Sequence, residues 1–191
     1  MNTIQSNIAN LPTRYGKFKI KAYKQGTQEH LAIMSQDFET LESPYVRIHS
    51  ECLTGDTLGS LKCDCQNQLD LSLKFIAQNG GLVIYHRQEG RNIGLVNKVN
   101  AYALQDQGRN TIEANLELGF KEDERDYSIV GHIFRDLDIK KLKLITNNPE
   151  KMQYVDSLGV EIIERIPAIT KSNKYNEGYL STKKNKMGHL L

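Results

Sequence analysis

Hydrophobic and polar positions along the chain follow two patterns, one typical of strands and the other of helices. Six short runs have the apolar and β-branched character of strands: Phe18–Tyr23, Leu31–Ser35, Tyr45–His49, Leu82–His86, Leu142–Thr146 and Val160–Ile166. The first run alternates as a half-buried strand does. The fourth is continuously apolar from Leu82 to Tyr85, which predicts a strand covered on both faces.

Helical spacing occurs in four segments. Apolar residues recur at that spacing in three of them: Leu69, Leu73, Ile76 and Ala77; Leu95, Val99, Tyr102 and Ala103; and Ile129, Val130, Ile133, Phe134 and Leu137. Asp126 precedes the third segment and is a candidate N-cap. The fourth begins at Asn148-Pro149, where a capping residue and a proline stand in the favoured order, and ends at Gly159.

The order of these elements predicts the fold class. Three strand patterns come first without helices between them, and strands and helices alternate afterwards. This order favours an α/β fold with a mixed β-sheet flanked by helices, antiparallel at the N-terminal end and more parallel beyond it. A length of 191 residues fits one domain, so residues 1–191 are expected to form a single domain.

Composition and charge narrow the class of protein. The 25 lysines and arginines against 23 acidic residues leave a net charge of +2, too small an excess for a protein that binds nucleic acid non-specifically. No apolar run approaches the roughly 18 residues of a membrane-spanning helix. The N-terminus also lacks the pattern of a signal peptide. A cytoplasmic protein without membrane or nucleic-acid partners is therefore expected.

The three cysteines, Cys52, Cys63 and Cys65, lie within one short segment and suggest a metal site. An odd number of cysteines does not suit a disulfide framework, and cytoplasmic thiols stay reduced. Zinc prefers thiolate ligands, and three protein ligands with one open position are typical of a catalytic zinc. Two alternatives remain: cysteines buried as small apolar residues, and a structural site completed by His49. Strand geometry disfavours the second, because residues three apart face opposite sides.

Two turns that lead from a strand into a helix are candidates for anion binding. Residues 86–95 follow the continuously apolar strand, and Arg87 and Arg91 there can contact phosphate in pairs of hydrogen bonds. In residues 146–151, free N–H groups at the helix start and the charge of Lys151 favour an anion. A surface turn and a well-capped helix are the respective alternatives. The P-loop and the dinucleotide-binding motif are both missing from the sequence.

A dense run of charges occupies residues 121–126. Most such runs form a solvated face of the protein. If this loop folds over the site instead, Asp123 and Arg125 can meet a phosphate and its metal.

Together these motifs resemble the GTP cyclohydrolase II family. The resemblance runs from about residue 45 to the C-terminus and, less distinctly, over residues 11–16. It rests on residues 47–56, Cys63-Asp64-Cys65, and residues 86–95, 123–126, 146–149 and 186–191.

The resemblance implies that the chain hydrolyses GTP, opening the imidazole ring and releasing formate and diphosphate. The product would be 2,5-diamino-6-(5-phosphoribosylamino)pyrimidin-4-one, made in the first committed step of riboflavin synthesis. The resemblance also implies one Zn²⁺ per subunit, Mg²⁺ with the nucleotide, and a homodimer. Two alternatives are a related GTP cyclohydrolase that retains the formyl group and a non-catalytic, zinc-containing regulator that binds nucleotide.

The same resemblance assigns roles to particular residues. The zinc ligands would be Cys52, Cys63 and Cys65. The nucleotide site would draw on Arg47, Ile48, His49, Ser50, Glu51, Gln68, Glu89, Gly90, Arg91, Thr111, Thr146 and Lys151.

Three catalytic roles are also implied. Asp123 would be the general base and Arg125 the nucleophile. Because a guanidinium is protonated at ordinary pH, an electrostatic role for Arg125 stays open. Tyr102 matches a tyrosine near the reacting formyl group, and packing in the core beside Leu95 and Val99 is the alternative role.

Overall fold

The computed structural model describes residues 3–190, which form a mixed eight-stranded sheet flanked by helices. The strands are β1 (Thr3–Gln5), β2 (Ala9–Thr13), β3 (Gly16–Gln25), β4 (Gln28–Ser35), β5 (Tyr45–Ser50), β6 (Gly81–His86), β7 (Lys141–Ile145) and β8 (Glu161–Ile166). The helices are α1 (Leu53–Asp56), α2 (Cys65–Asn79), α3 (Gly94–Asp106), α4 (Thr111–Glu117), α5 (Ser128–Asp136), α6 (Pro149–Ser157) and α7 (Glu177–Lys186). The predicted α/β class is confirmed.

The sheet has the order β1-β3-β4-β6-β5-β7-β8, and β2 pairs with β3. Strands β1 to β4 pair in antiparallel fashion, and β4 is antiparallel to β6. The pairs β5–β6, β5–β7 and β7–β8 are parallel. An antiparallel N-terminal part followed by a parallel remainder is therefore confirmed.

Strand β6 lies inside the sheet and supplies both hydrophobic cores. Leu82 and Ile84 pack into a core with α5 and α6, whereas Val83 packs into a second core with α2. All three side chains are fully buried, as the continuously apolar run predicts. Burying each such side chain contributes about 1.5–3 kcal/mol, so β6 fixes helices on both faces of the sheet.

The apolar face predicted for α3 is wrong. Leu95 and Val99 are exposed, with 40% and 53% of their surface accessible, whereas Lys98 and Ala101 are buried. The inward face of α3 lines a polar cavity and therefore carries polar side chains. Helical spacing alone cannot separate such a face from one that packs in a core.

The start of α5 also differs from the prediction. Tyr127, rather than Asp126, occupies the N-cap position. Asp126 still serves this helix end, because its Oδ1 accepts a hydrogen bond of 2.8 Å from the backbone N–H of Ser128.

Five elements have no counterpart in the predicted pattern: β1, β2, α1, α4 and α7. Helix α4 has a sequence signal, a capping box in which Asn110 and Glu113 each bind the other's backbone N–H. Throughout the described residues, no helix combines the length and the apolar character needed to cross a membrane.

Two histidines stack inside the sheet next to the first core. The rings of His30 and His86 are 5.1 Å apart and nearly parallel, and both side chains are fully buried. Burial lowers the pKa of His30 to about 4 and that of His86 to about 3. Both rings are therefore neutral in the folded protein at neutral pH.

We expect the protein to lose stability on acidification before its carboxylates titrate. Both histidines have lower pKa values folded than unfolded, where the ordinary value is 6.5. Below about pH 6.5 the unfolded chain therefore binds more protons than the folded chain. The free energy of unfolding decreases as the pH falls through this range. Each histidine should cost about 2 kcal/mol between pH 7 and pH 5, measured by urea unfolding.

The variant His30→Asn isolates this contribution. An asparagine oxygen can replace His30 Nδ1, which accepts a hydrogen bond from the backbone N–H of Arg87, but it does not titrate. The loss between pH 7 and pH 5 should shrink by about 2 kcal/mol. An unchanged loss in the variant would contradict the assignment of this pH dependence to the buried histidine.

Candidate active site

A large cavity lies where the parallel strands β5, β6 and β7 end. Its volume is about 1130 Å³, including the space open to solvent. From β5 the chain continues to β6 on one side and later to β7 on the other. The carboxyl end of β5 is therefore a point at which the direction of the strand order reverses, where open α/β sheets bind their ligands.

The three cysteines converge on one wall of this cavity. Their Sγ atoms lie within 4.8 Å of one another, and Cys52 and Cys63 are separated by 3.7 Å. Zn–S bonds of about 2.3 Å at tetrahedral angles place two sulfurs about 3.8 Å apart, so the spacing fits zinc. Among the described residues His49 is not part of this cluster, and its Nε2 lies 3.1 Å from Asp56, so the structural site completed by His49 is not formed.

A glycine makes room for the sulfur cluster. Gly55 lies in α1 directly beneath the three cysteines. A Cβ atom at this position would approach the Sγ of Cys63 to 2.8 Å, the Cβ of Cys65 to 3.0 Å and the Sγ of Cys52 to 3.1 Å. A side chain at residue 55 would therefore require the cysteines to shift.

We expect Gly55→Ala to weaken metal binding without unfolding the protein. The added methyl group pushes the sulfurs apart, and the metal affinity should fall by at least about tenfold. Gly178→Ala is the matched control, because a Cβ there meets nothing within 4 Å. The measurement is zinc content after dialysis against a weak chelator. Equal zinc content in both variants would contradict a metal site that depends on the space at residue 55.

A buried cation neighbours the cysteine cluster. Lys98 Nζ donates hydrogen bonds to Cys52 Sγ at 3.1 Å and to Glu89 Oε1 at 2.6 Å. Hydrogen bonds from Cys63 and Cys65, together with this positive charge, lower the pKa of Cys52 below its ordinary value. Lys98 therefore favours the thiolate form that a metal requires.

Cys52 is further fixed through its backbone. The carboxylate of Asp56 accepts hydrogen bonds from the Cys52 N–H at 3.0 Å and from the Tyr85 hydroxyl at 2.8 Å. Glu89 Oε2 accepts another from the N–H of Leu53 at 2.6 Å. Both carboxylates therefore hold the backbone of the turn that carries Cys52. Glu89, predicted as a nucleotide residue, is therefore also a support of the cysteine cluster.

Tyr102 reaches the cavity rather than the core. Its hydroxyl lies 3.1 Å from Thr54 Oγ1, which itself lies 3.6 Å from Cys52 Sγ. The alternative of core packing beside Leu95 and Val99 is not supported, since those two residues are exposed.

A group of basic side chains that includes Arg47 and Lys151 forms another part of the cavity lining, which we call the cationic wall. The Arg47 guanidinium is buried and donates to the carbonyl of Ile145 at 3.1 Å and to Gln68 Oε1 at 2.5 Å. Lys151 Nζ donates to the carbonyl of Ile48 at 2.8 Å. Burial and the charge of Arg47 lower the pKa of Lys151 well below its ordinary value. An anion bound here would relieve this repulsion.

The predicted catalytic pair lies in the loop between α4 and α5. Arg125 Nε donates to both carboxylate oxygens of Asp123, at 2.9 and 3.0 Å, and Arg125 Nη1 donates to Ser50 Oγ at 2.9 Å. Burial opposes the charged guanidinium, but the hydrogen bonds to Asp123 outweigh it and raise the pKa of Arg125. Arg125 is therefore held protonated beside the cavity.

This loop is held by the last residue of β6 and the turn after it. The backbone N–H and C=O groups of the loop form hydrogen bonds with these residues. The bonds are His86 Nε2 to Asp126 O at 3.0 Å, Asp126 N to Gln88 Oε1 at 2.9 Å, Glu124 N to Arg91 O at 3.2 Å, Asn92 Nδ2 to Glu124 O at 3.0 Å and Arg91 Nη1 to Glu122 O at 3.0 Å. The dense charge run is therefore folded against the site.

Every predicted site residue except Ile48, Arg87 and Asp123 lines the cavity. Ile48 packs in the first core and offers only its carbonyl, and Asp123 touches the site through Arg125. Arg87, a predicted phosphate contact, forms an ion pair with Glu51 at 3.2 Å and is not part of the lining.

Other lining residues have no counterpart among the predicted site residues. They include Lys62, Lys98, Asn115, Asn147, Asn148, Tyr179, Lys183, Met187 and His189. Asn147 and Asn148 belong to the second anion-binding turn, and Met187 and His189 belong to the C-terminal motif used for the resemblance. No sequence motif marks Lys98 as a site residue. It stands in α3, where the spacing of the apolar residues predicted that a different face of the helix points inward.

Known proteins match this chain over most of its length. The sequence model of the family described as GTP cyclohydrolase II matches residues 4–167. A GTP cyclohydrolase-2 from Campylobacter fetus subsp. fetus is 58% identical and spans 100% of this chain and 97% of that protein. Those from Buchnera aphidicola subsp. Acyrthosiphon pisum and Helicobacter pylori are each 53% identical, with 96% and 97% of both chains covered, respectively.

One solved structure is a more distant match. It is a two-domain 3,4-dihydroxy-2-butanone 4-phosphate synthase from A. baumannii, 18% identical, with a TM-score of 0.44 over 88% of this chain and 40% of that chain. The curated relatives and the family match are far stronger, and they agree with each other. The chain belongs to the GTP cyclohydrolase II family.

Proposed function

We propose that the protein is a single catalytic domain that hydrolyses GTP, opening the imidazole ring with release of formate and diphosphate. The pyrimidine product named above would feed riboflavin synthesis. The observation that supports this proposal best is the placement of three convergent thiols and a group of buried cations in the lining of one cavity. Such a cavity suits a ligand that carries both an electron-poor ring and phosphates.

Cys52, Cys63 and Cys65 would hold one zinc ion per subunit. The sulfur spacing and the missing side chain at Gly55 fit this ion. When bound, zinc supplies Lewis-acid activation for the addition of water at C8 of the purine and at the formyl carbon. Lys98 would offset part of the negative charge of the three thiolates.

The cationic wall would bind the triphosphate. Arg47, Lys151 and Arg125 are desolvated, so their attraction for an anion is stronger than in water. In hydrolysis at the α-phosphorus, water forms the new P–O bond, the bond to the diphosphate breaks, and the leaving oxygen gains charge. We propose that Arg125, held charged by Asp123, stabilises that charge. Mg²⁺ bound with the nucleotide would add to this stabilisation.

Tyr102 would act beside the cysteine cluster, near the formyl group. Its hydroxyl and that of Thr54 form one hydrogen-bonded unit beside Cys52, which can donate to an oxygen developing on the reacting carbon. Loss of formate then requires a second water at that carbon. This placement supports formate release over the alternative in which the formyl group is retained.

Two further proposals concern the state of the protein. We propose a homodimer, because Leu58, Leu61 and Val96 are exposed by 72%, 57% and 75% on and beside helices that flank the cavity. Covering such residues is a common reason for association.

We also propose that the protein is located in the cytoplasm, where the three free thiols stay reduced.

The decisive experiment incubates purified, zinc-loaded protein with GTP and Mg²⁺ and measures formate, diphosphate and the pyrimidine product together. Equal amounts of all three are expected. A product that keeps the formyl mass, with no formate released, would favour the alternative cyclohydrolase. Tight binding of GTP without any turnover would favour the non-catalytic regulator.

A further inference from the structure

The last part of the described chain contributes to the cavity although the family match ends at residue 167. We call residues 177–190, which comprise α7 and the turn after it, the C-terminal segment. Four of its side chains line the cavity: Tyr179, Lys183, Met187 and His189.

Three contacts attach this segment to the site. Lys183 Nζ donates to Asp64 Oδ1 at 2.8 Å, and Asp64 stands between two of the cysteines with its side chain 1% exposed. Arg91 Nη2 lies 3.0 Å from Met187 Sδ. The backbone N–H of Leu190 donates to the carbonyl of Asn147 at 2.9 Å. The segment therefore contacts the cysteine cluster through Asp64 and the turn that begins α6 through Asn147.

Positive charges surround the end of this segment. The His189 ring is close enough to Lys183, Lys151, Arg91 and Arg125 that their charges, added to burial, lower its pKa to about 3. The charges of Lys183, Arg47 and Arg125 also lower the pKa of the buried Lys151. Positive charges that repel one another inside a cavity are stabilised most by an anion that carries several negative charges.

We propose that the C-terminal segment completes the nucleotide site, with Lys183 and His189 as binding residues for the polyphosphate. This inference rests on the proposed function and extends it to residues outside the family match. The Lys183 ammonium lies 4.3 Å from the centre of the Tyr179 ring and donates one of its three N–H groups to Asp64, which leaves a donor for phosphate. The His189 ring also has a nitrogen to donate. The purine is a neutral ring and would not gain from this charge, so the segment should recognise phosphates only.

The test compares a triphosphate probe with a probe that has no phosphate. The first is the GTP analogue with a methylene between its α- and β-phosphates, and the second is guanosine; both are titrated into zinc-loaded protein with Mg²⁺. For Lys183→Met and for His189→Ala, the affinity for the analogue should fall by about tenfold or more, as expected for hydrogen bonds to a charged group. The affinity for guanosine should stay within about threefold.

Matched variants guard against a purely structural effect. Lys184→Met removes an exposed lysine from the same helix and should change neither affinity. Lys183→Arg keeps the charge and should bind the analogue nearly as the unmodified chain does. His189→Ala breaks no ion pair, so it remains informative if Lys183→Met fails to fold.

The outcomes separate this inference from the proposed function. An unmodified chain that binds neither probe contradicts the proposed function itself. If the unmodified chain binds the analogue and both variants bind it equally well, the inference is overturned. It is also overturned if both variants lose guanosine and analogue to the same extent, because the segment would then only support the fold of the cavity.

Discussion

Cys63→Ser is expected to lose the bound metal and to abolish formate release while the sheet remains folded. Cys63 Sγ lies 3.7 Å from Cys52 Sγ at the cavity wall, and the hydrophobic cores are formed by other residues. Removing one of the three proposed ligands would leave a zinc ion with two protein ligands. Since a metal contributes several kcal/mol to such a reaction, the rate of ring opening should fall by about 1000-fold or more.

Three measurements on the same preparation check this expectation. They are zinc content, formate release from GTP, and the urea midpoint of unfolding. Gly178→Ala again provides a neutral comparison. Full ring-opening activity in Cys63→Ser would show that the cysteine cluster is not the catalytic metal site. Unfolding as soon as metal is removed from the unmodified chain would instead indicate a structural metal.

Arg125→Lys is expected to slow diphosphate release by about 10- to 100-fold, and Arg125→Met by about 1000-fold. A lysine keeps the charge but not the paired hydrogen bonds to Asp123. A methionine leaves the Asp123 carboxylate without its partner and places negative charge near the phosphate. Release of diphosphate should therefore depend on the charge at residue 125 in graded steps.

Rapid quenching separates this electrostatic role from the nucleophilic one. A nucleophilic arginine would form a bond from nitrogen to the α-phosphorus and give a guanylyl-enzyme detectable by mass spectrometry. It would also make Arg125→Lys as inactive as Arg125→Met. The raised pKa of Arg125 favours the electrostatic role, because the guanidinium then has no free lone pair. A trapped adduct on Arg125 would refute that role.

Strands and most helices were predictable because their signals are local. The run Leu82–Tyr85 and the capped start at Asn148 depend on only a few neighbouring residues. Strands β1 and β2 were not predicted because they are short and mostly exposed, so neither has an apolar pattern. Helix α7 was not predicted for a related reason, since charged and polar residues occur on all its sides.

The site was predictable where chemistry is concentrated in one segment. Three cysteines close together suggested a metal, and the structure brings their sulfurs together. Lys98 and Lys183 could not be predicted as members of this cavity, because a lone lysine on a helix usually faces solvent. Their positions follow from the packing of α3 and α7 over the ends of three strands, which no short stretch of sequence encodes.

The loop that carries Asp123 and Arg125 is positioned through its main chain. Its five bonds to the last residue of β6 and the turn after it end on backbone N–H and C=O groups of residues 122–126. Two loop side chains also hold this path, because Asp123 Oδ1 accepts a hydrogen bond from the Arg125 N–H and Glu124 Oε1 accepts one from the Lys121 N–H. For protein engineering, acidic, basic or aromatic side chains can therefore be exchanged at Glu122 and Arg125 to suit other leaving groups, provided that His86, Gln88, Arg91 and Asn92 are kept.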